Sequence, residues 1–182
     1  MDGEDVTASL TRVDGTRVSP PRLRVPQLRG LAEPHGLTLD FGALDANRPW
    51  VLVMNGWLRF GGGMANVAAS LDPSLPFPFP VLEAEVAPGV WKHIDVTAGA
   101  PAGKTKTILV DLEGKLEPGT RRLRWTSAFE IHWDRIALLE KASPPVAALT
   151  RLRVVPPQVA DLRFRGFGAL LPLPQDAPQT PD

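Results

Sequence analysis

The stretch Ala98 to Thr105 reads AGAPAGKT. A small residue, four variable positions and then Gly-Lys-Thr fit the loose form of a phosphate loop. That chemistry needs a helix to begin directly after the lysine, so that backbone N–H groups and the helix N-terminus cradle the phosphates. The residues that follow are KTILVDLEG, a short β-branched run that ends at a turn. A strand is expected there, and no nucleotide site. Glu83 and Glu85 share one face of another β-like run. Alternate strand positions lie about 7 Å apart, close to the carboxyl spacing of glycosidases. Adjacent glutamates on the solvent face of a strand are equally ordinary. Two of the three histidines complete the inventory. Trp91, His93 and Asp95 alternate on one run; Glu130, His132 and Asp134 alternate on another. Paired, those runs would bring His93, His132 and Asp134 into a set of two histidines and one carboxylate, a known pattern for metal binding. Unpaired, they are two polar strand faces. The serine-hydrolase elbow, the two-histidine zinc helix and the two-cysteine redox motif are all missing from the chain.

These residues must be positioned by short elements. Twenty prolines and sixteen glycines in 182 residues leave little room for long helices. Between the breakers lie runs rich in β-branched and aromatic residues: 22–26, 37–41, 50–60, 81–87, 90–96, 105–112, 121–126, 129–140, 150–155 and 160–166. Turns are explicit at Pro88–Gly89, Glu113–Gly114 and 118–120. One short helix fits the segment GGGMANVAASL. Many short strands at close spacing predict an all-β fold, a two-sheet β-sandwich of jelly-roll or galactose-binding-like type with little helix. The run at 50–60 is apolar on both faces in its first half, as in a central strand. In FEIHWDRI, Phe129, Ile131 and Trp133 share one face, and the apolar face then switches to Ile136 and Leu138. The switch predicts a β-bulge at Asp134–Arg135, with Trp125 and Trp133 in the core.

The texture divides the chain. Residues 1–142 read as the sandwich; 143–171 as a linker plus a basic ribbon carrying Arg151, Arg153, Arg163 and Arg165; and 172–182 as a Pro-rich disordered tail. The ribbon is expected to dock or to belong to a next domain. Twenty acidic and twenty basic residues cancel, which argues against nucleic acid as a partner. The absence of cysteine excludes disulfides and thiolate chemistry. No apolar run has the ~18 residues needed for a membrane helix, so no membrane insertion is expected. MDGEDVTASL is too acidic and polar for a signal peptide. The compartment is left open, and an extracytoplasmic setting follows only if the chain is an excerpt of an exported protein.

GKTKTILVDL followed by RRLRWTSAFEIHWDRI, with GWLRFGGGMANVAAS upstream, resembles a β-rich accessory region near the C-terminus of large bacterial proteins. Those proteins carry FG-GAP propeller repeats, ASPIC/UnbV segments or tetratricopeptide repeats. RGLAEPHGLTLDFG and ADLRFRGF fit the same pattern, and the resemblance covers residues 5–168. It implies an accessory module in a multidomain setting, and no reaction.

The expected function is therefore a non-catalytic interaction or structural module, with other domains of the same larger protein or a protein partner as its target, and with no cofactor. A carbohydrate-binding module is the alternative, with a glycan as ligand. There are five tryptophans and no tyrosine, and exposed indoles stack on sugars. Trp57, with Asn55 and Arg59 on its face, is the first candidate platform. Trp91 with His93, and His132 with Asp134, are the next. A metal- or carboxylate-dependent hydrolase is the second alternative.

Overall fold

The computed structural model describes residues 3–24, 29–62, 67, 69, 71–74, 78–142 and 158–159. The chain divides into two compact units, Met1–Ala142 and Ser143–Asp182. The expected ribbon and tail of the second unit lie outside the described residues, apart from Gln158 and Val159.

The first unit is all-β. A 3-10 turn at Thr7–Leu10 precedes β1 (Leu31–Asp40), β2 (Trp50–Leu58), β3 (Val81–Ala87), β4 (Val90–His93), β5 (Lys106–Asp111), β6 (Arg122–Phe129) and β7 (Ile131–Glu140). They form two antiparallel sheets, ordered β1-β6-β3-β4 and β5-β2-β7. The described residues of the glycine-rich segment include helical positions at Gly62, Val67, Ala69 and Leu71.

Alternation explains the layering. The inner face of β2 is Leu52, Met54 and Gly56; β7 contributes Ile131, Trp133 and Ile136, and β5 contributes Val110. The other sheet answers with Leu82, Ala84, Leu123 and Trp125. Leu10, Leu44, Ile94, Ala98, Leu112 and Leu116 join the same core from outside the strands. Burying this apolar surface is the main term holding the sheets together.

The bulge falls where the alternation places it. Asn55 opposes Arg135 and Gly56 opposes Trp133, so Asp134 is the extra residue on β7. Trp125 and Trp133 are both buried in the core. Between β3 and β4, Gly89 at φ +75° supplies the left-handed turn residue, and its N–H donates to Glu85 Oε1 at 2.8 Å.

Three strands differ from the sequence reading. β1 begins at Leu31, earlier than 37, although it contains Pro34 and Gly36. It lies at a sheet edge, and its register slips between Leu31 and His35, which accommodates a proline that cannot donate to a ladder. β4 stops at His93, and Ile94 and Ala98 turn into the core. The run at 129–140 is interrupted at Glu130, where the chain passes from one sheet to the other. At 22–26 only Leu23 makes a bridge, to Ala32, and residues 25–28 lie outside the description.

Candidate interaction face

β5 follows Lys104 within two residues. The glycine-lysine-threonine motif therefore opens a strand, as expected, and offers no helix end to a phosphate. Lys104 and Lys106 are exposed at the start of that strand.

The carboxylate pair is neutralised. Glu83 accepts from Arg124 Nε at 2.8 Å, and Glu85 accepts a two-point contact from Arg122 on the neighbouring strand. The Arg122 hydrogen bonds hold the Glu85 carboxyl below its ordinary range, aided by the Gly89 N–H and opposed by burial. Trp91 lies opposite Glu85 on β4, with the Arg124 guanidinium 4.3 Å and that of Arg122 5.7 Å from its ring centre. Its ring is thus beside a charged ladder that is already paired. His93 lies opposite Glu83 and is exposed.

His93 and His132 stand on strands of different sheets, so the three-ligand set with Asp134 does not assemble. Among the described residues no cluster of three or more metal-ligating side chains occurs.

The alternating face Glu130-His132-Asp134 is not the solvated face the pattern suggests. Glu130 and Asp134 are only 4% and 2% exposed. The N-terminal segment covers them. Thr11 bridges to Arg135 and Val18 to Trp133 along the free edge of β7. The Asp134 carboxylate accepts the N–H groups of Asp14 and Gly15 at 3.2 Å, and Glu130 Oε2 accepts that of Gly30 at 2.7 Å. Asp134 therefore fastens a turn and does not face ligand. No local pattern signals this, because its partners are backbone amides some 120 positions away.

His132 joins Trp57. Their rings stack with centres 5.3 Å apart and planes at 23°. Ser19 Oγ lies 2.8 Å from His132 Nδ1, and Glu130 Oε1 lies 3.5 Å from Nε2. Burial lowers the His132 pKa; Glu130 opposes this, and Arg17 and Arg59 add to it. Trp57 Nε1 donates to Gly103 O at 3.1 Å, and the Arg59 guanidinium lies 5.9 Å from its ring. Asn55 Nδ2 donates to Thr107 Oγ1 at 2.9 Å across the sheet. The structure thus brings Asn55, Trp57, Arg59 and His132 together and leaves Trp91 and His93 on the opposite sheet.

That group forms one end of the outer face of β5-β2-β7. The rows continue along the strands. Arg135, Asn55 and Thr107 lie abreast, then Ala137, Val53 and Leu109, then Leu139, Val51 and Asp111. Val51, Val53, Leu109 and Leu139 lie outside the apolar core, with Leu109 68% and Leu139 48% exposed. Beyond them, Lys141 reaches both Asp111 and Glu113 at 2.7 Å, and Arg48 reaches Glu140 at 2.7 Å. The result is an apolar centre with a basic, aromatic end and an ion-paired end. The sequence carried the signal, since β2 is apolar on both faces, but that pattern equally suits a strand buried on both sides.

Comparison with known proteins adds no relative: no family model matches the chain, and no match is found among the curated proteins or the solved structures.

Proposed function

We propose that this β-sandwich is a non-catalytic interaction module, and that the outer face of β5-β2-β7 docks onto a protein surface. That surface is apolar at its centre and carries carboxylates opposite Arg59 and Arg135. The observation that supports this reading is the contiguous apolar row Val51, Val53, Leu109 and Leu139 on a sheet face that the core does not use. An apolar centre with a polar rim is the usual anatomy of a protein interface, and exposed apolar patches mark such surfaces. Arg59 and Arg135 make no ion pair among the described residues, so they are available to a partner's acids. The resemblance to accessory regions of large bacterial proteins agrees with this, and it names neighbouring domains of the same protein as the first candidates.

A carbohydrate role is the weaker reading. Trp57 is stacked on His132, and Trp91 lies under Arg124. A sugar would have to displace a side chain at either ring.

The test is a photo-crosslinker at Val53 in cells, followed by binding measurements with the purified crosslinked protein. Val53→Asp and Arg135→Glu should each weaken that binding by about tenfold or more while leaving the melting temperature unchanged. Unchanged affinity in both variants sinks the reading. So does a large loss of stability in Val53→Asp, because the face would then be covered by its own chain.

A further inference from the structure

We propose that Ser19 is a covalent modification site, whose hydroxyl is activated by His132 and Glu130 to take an acyl group from an anionic donor of the acyl-phosphate class. The inference concerns the N-terminal segment where it runs beside the start of β7, and it stands independently of the docking face proposed above.

Three side chains form a relay from solvent to core. Ser19 is exposed, His132 is partly buried and Glu130 is buried. Ser19 Oγ lies 2.8 Å from His132 Nδ1, and Glu130 Oε1 lies 3.5 Å from Nε2. The backbone holds the serine in place. Val18 exchanges both hydrogen bonds with Trp133, at 2.8 and 2.9 Å, and Pro20 restricts the chain on the other side. The imidazole is held as firmly. Trp57 stacks on its face, and the Glu130 carboxylate is itself fixed by the Gly30 N–H at 2.7 Å.

The buried carboxylate selects the tautomer. His132 Nε2 is buried and makes no hydrogen bond among the described residues, and Glu130 Oε1 is the acceptor within ion-pair reach of it. A lone pair on Nε2 would face a carboxylate oxygen, so the proton belongs on Nε2 and the lone pair on Nδ1. Nδ1 therefore accepts the Ser19 O–H. A hydroxyl that donates to an imidazole, itself oriented by a carboxylate, is the arrangement that activates a serine for attack. Burial leads the lowering of the His132 pKa, Arg17 and Arg59 add to it, and Glu130 opposes it. The ring is then neutral near pH 7 and able to accept the proton.

The cations select the donor. Arg17 stands two positions before Ser19 and donates to Thr105 Oγ1 at 3.3 Å, and the Arg59 guanidinium lies 5.9 Å from the centre of the Trp57 ring. Neither makes an ion pair among the described residues, and the charge of both reaches the imidazole. Two unpaired guanidinium groups beside one activated hydroxyl suit a donor whose leaving group is phosphate. In the step, Ser19 Oγ attacks the acyl carbon and its proton passes to His132 Nδ1. The bond from the acyl carbon to the phosphate oxygen breaks, and phosphate leaves with that proton. The products are a serine ester and inorganic phosphate, so atoms and charge balance without a further reactant.

The full chain incubated with acetyl phosphate, read by intact mass and peptide mapping, tests the proposal. Acetyl should appear on Ser19, at a rate that is level near neutral pH and falls as pH drops below about 6.5 and the imidazole protonates. His132→Gln should slow it by about a hundredfold or more. Glu130→Gln keeps an acceptor for the Gly30 N–H. It should slow the reaction by about tenfold or more and move the midpoint of the pH profile down, because Glu130 raises the His132 pKa. Should His132→Gln fail to fold, the pH profile of the parent carries the test. Arg17→Gln should slow acetyl phosphate by about tenfold or more and leave the uncharged donor p-nitrophenyl acetate unaffected; equal slowing of both overturns the anionic donor. Acetyl on lysines alone, no acetyl at all, or a Ser19 rate indifferent to His132→Gln or climbing steadily with pH overturns the proposal. Val53→Asp should leave acylation unchanged. Phosphate release that depends on Ser19 and continues beyond stoichiometry would uphold the nucleophile and overturn the non-catalytic reading instead.

Discussion

Trp125 and Trp133 meet edge to face between the two sheets, with ring centres 5.2 Å apart and planes at 90°. One ring comes from each sheet, so this contact ties the layers together at the centre of the core. Trp133→Ala should lower stability by about 3–5 kcal/mol, read by thermal or urea unfolding. Neither indole N–H makes a hydrogen bond among the described residues. Trp133→Phe, which keeps a ring and loses only that N–H and some volume, should therefore cost clearly less. Equal losses in the two variants would mean that the contact between the rings contributes little.

The neighbour of that ring is a glycine for steric reasons. A Cβ on Gly56 would stand 2.6 Å from Trp133 Cε3 and 2.8 Å from the His132 carbonyl. Gly56→Ala should destabilise by about 1–3 kcal/mol, whereas Val53→Ala, three positions earlier on the outer face, should shift the melt very little. If Gly56→Ala melts like the parent, the close approach of β2 and β7 at the bulge is relieved in solution.

Asp134 holds the turn at Asp14 and Gly15 through its carboxylate. Asp134→Ala should cost about 1–3 kcal/mol, because two part-buried amide hydrogen bonds lose their buried acceptor. The loss should show locally first, as faster amide exchange at residues 14–18 while the β2 and β5 amides remain slow. Uniform acceleration across both sheets would instead make the N-terminal segment part of one cooperative core.

Stability should fall as the solution is acidified through the histidine range. Burial lowers the pKa of His35, against an Nδ1–H donated to Glu33 O at 2.8 Å, and burial also leads the lowering at His132. The unfolded chain, with histidines near about 6.5, then takes up protons before the folded one does. The stability they contribute is complete above that value and is lost as pH falls from it towards the lower folded values. Urea midpoints measured from pH 7.5 to 5 should decline in the parent. His132→Gln should decline less steeply. A flat parent profile would contradict both shifts.

Much of this architecture is legible in the sequence because it rests on short-range periodicity. β3 is bounded by Pro80 and by the Pro88–Gly89 turn, and its limits follow from those breakers. The bulge at Asp134 follows from the change of face between Trp133 and Ile136. β1 resisted reading because Pro34 and Gly36 signal a break, and only its place at a sheet edge makes them tolerable. The candidate site was half legible. The face shared by Asn55, Trp57 and Arg59 is a matter of alternation, but its meeting with His132 depends on β2 and β7 pairing across some seventy-five residues. The apolar rows beyond it went unrecognised for a related reason, since strand periodicity says which residues face together and not what covers them.

The covering of β7 by the N-terminal segment also constrains the order in which the chain can fold as it is made. Of the adjacent strand pairs, only β3 and β4 are close in sequence; β1 waits for β6, and β2, though made early, waits for β7. Asp14 and Gly15 are synthesised before any of the strands, yet their acceptor arrives some 120 positions later. Until β7 emerges, β2 has no partner on that side and its two apolar faces have nothing to lie against. Long-range pairing of this kind is slow and leaves nascent strands open to aggregation. A ribosome stalled shortly before residue 131 should therefore hold a chain that protease clears readily, and one released beyond residue 142 should not.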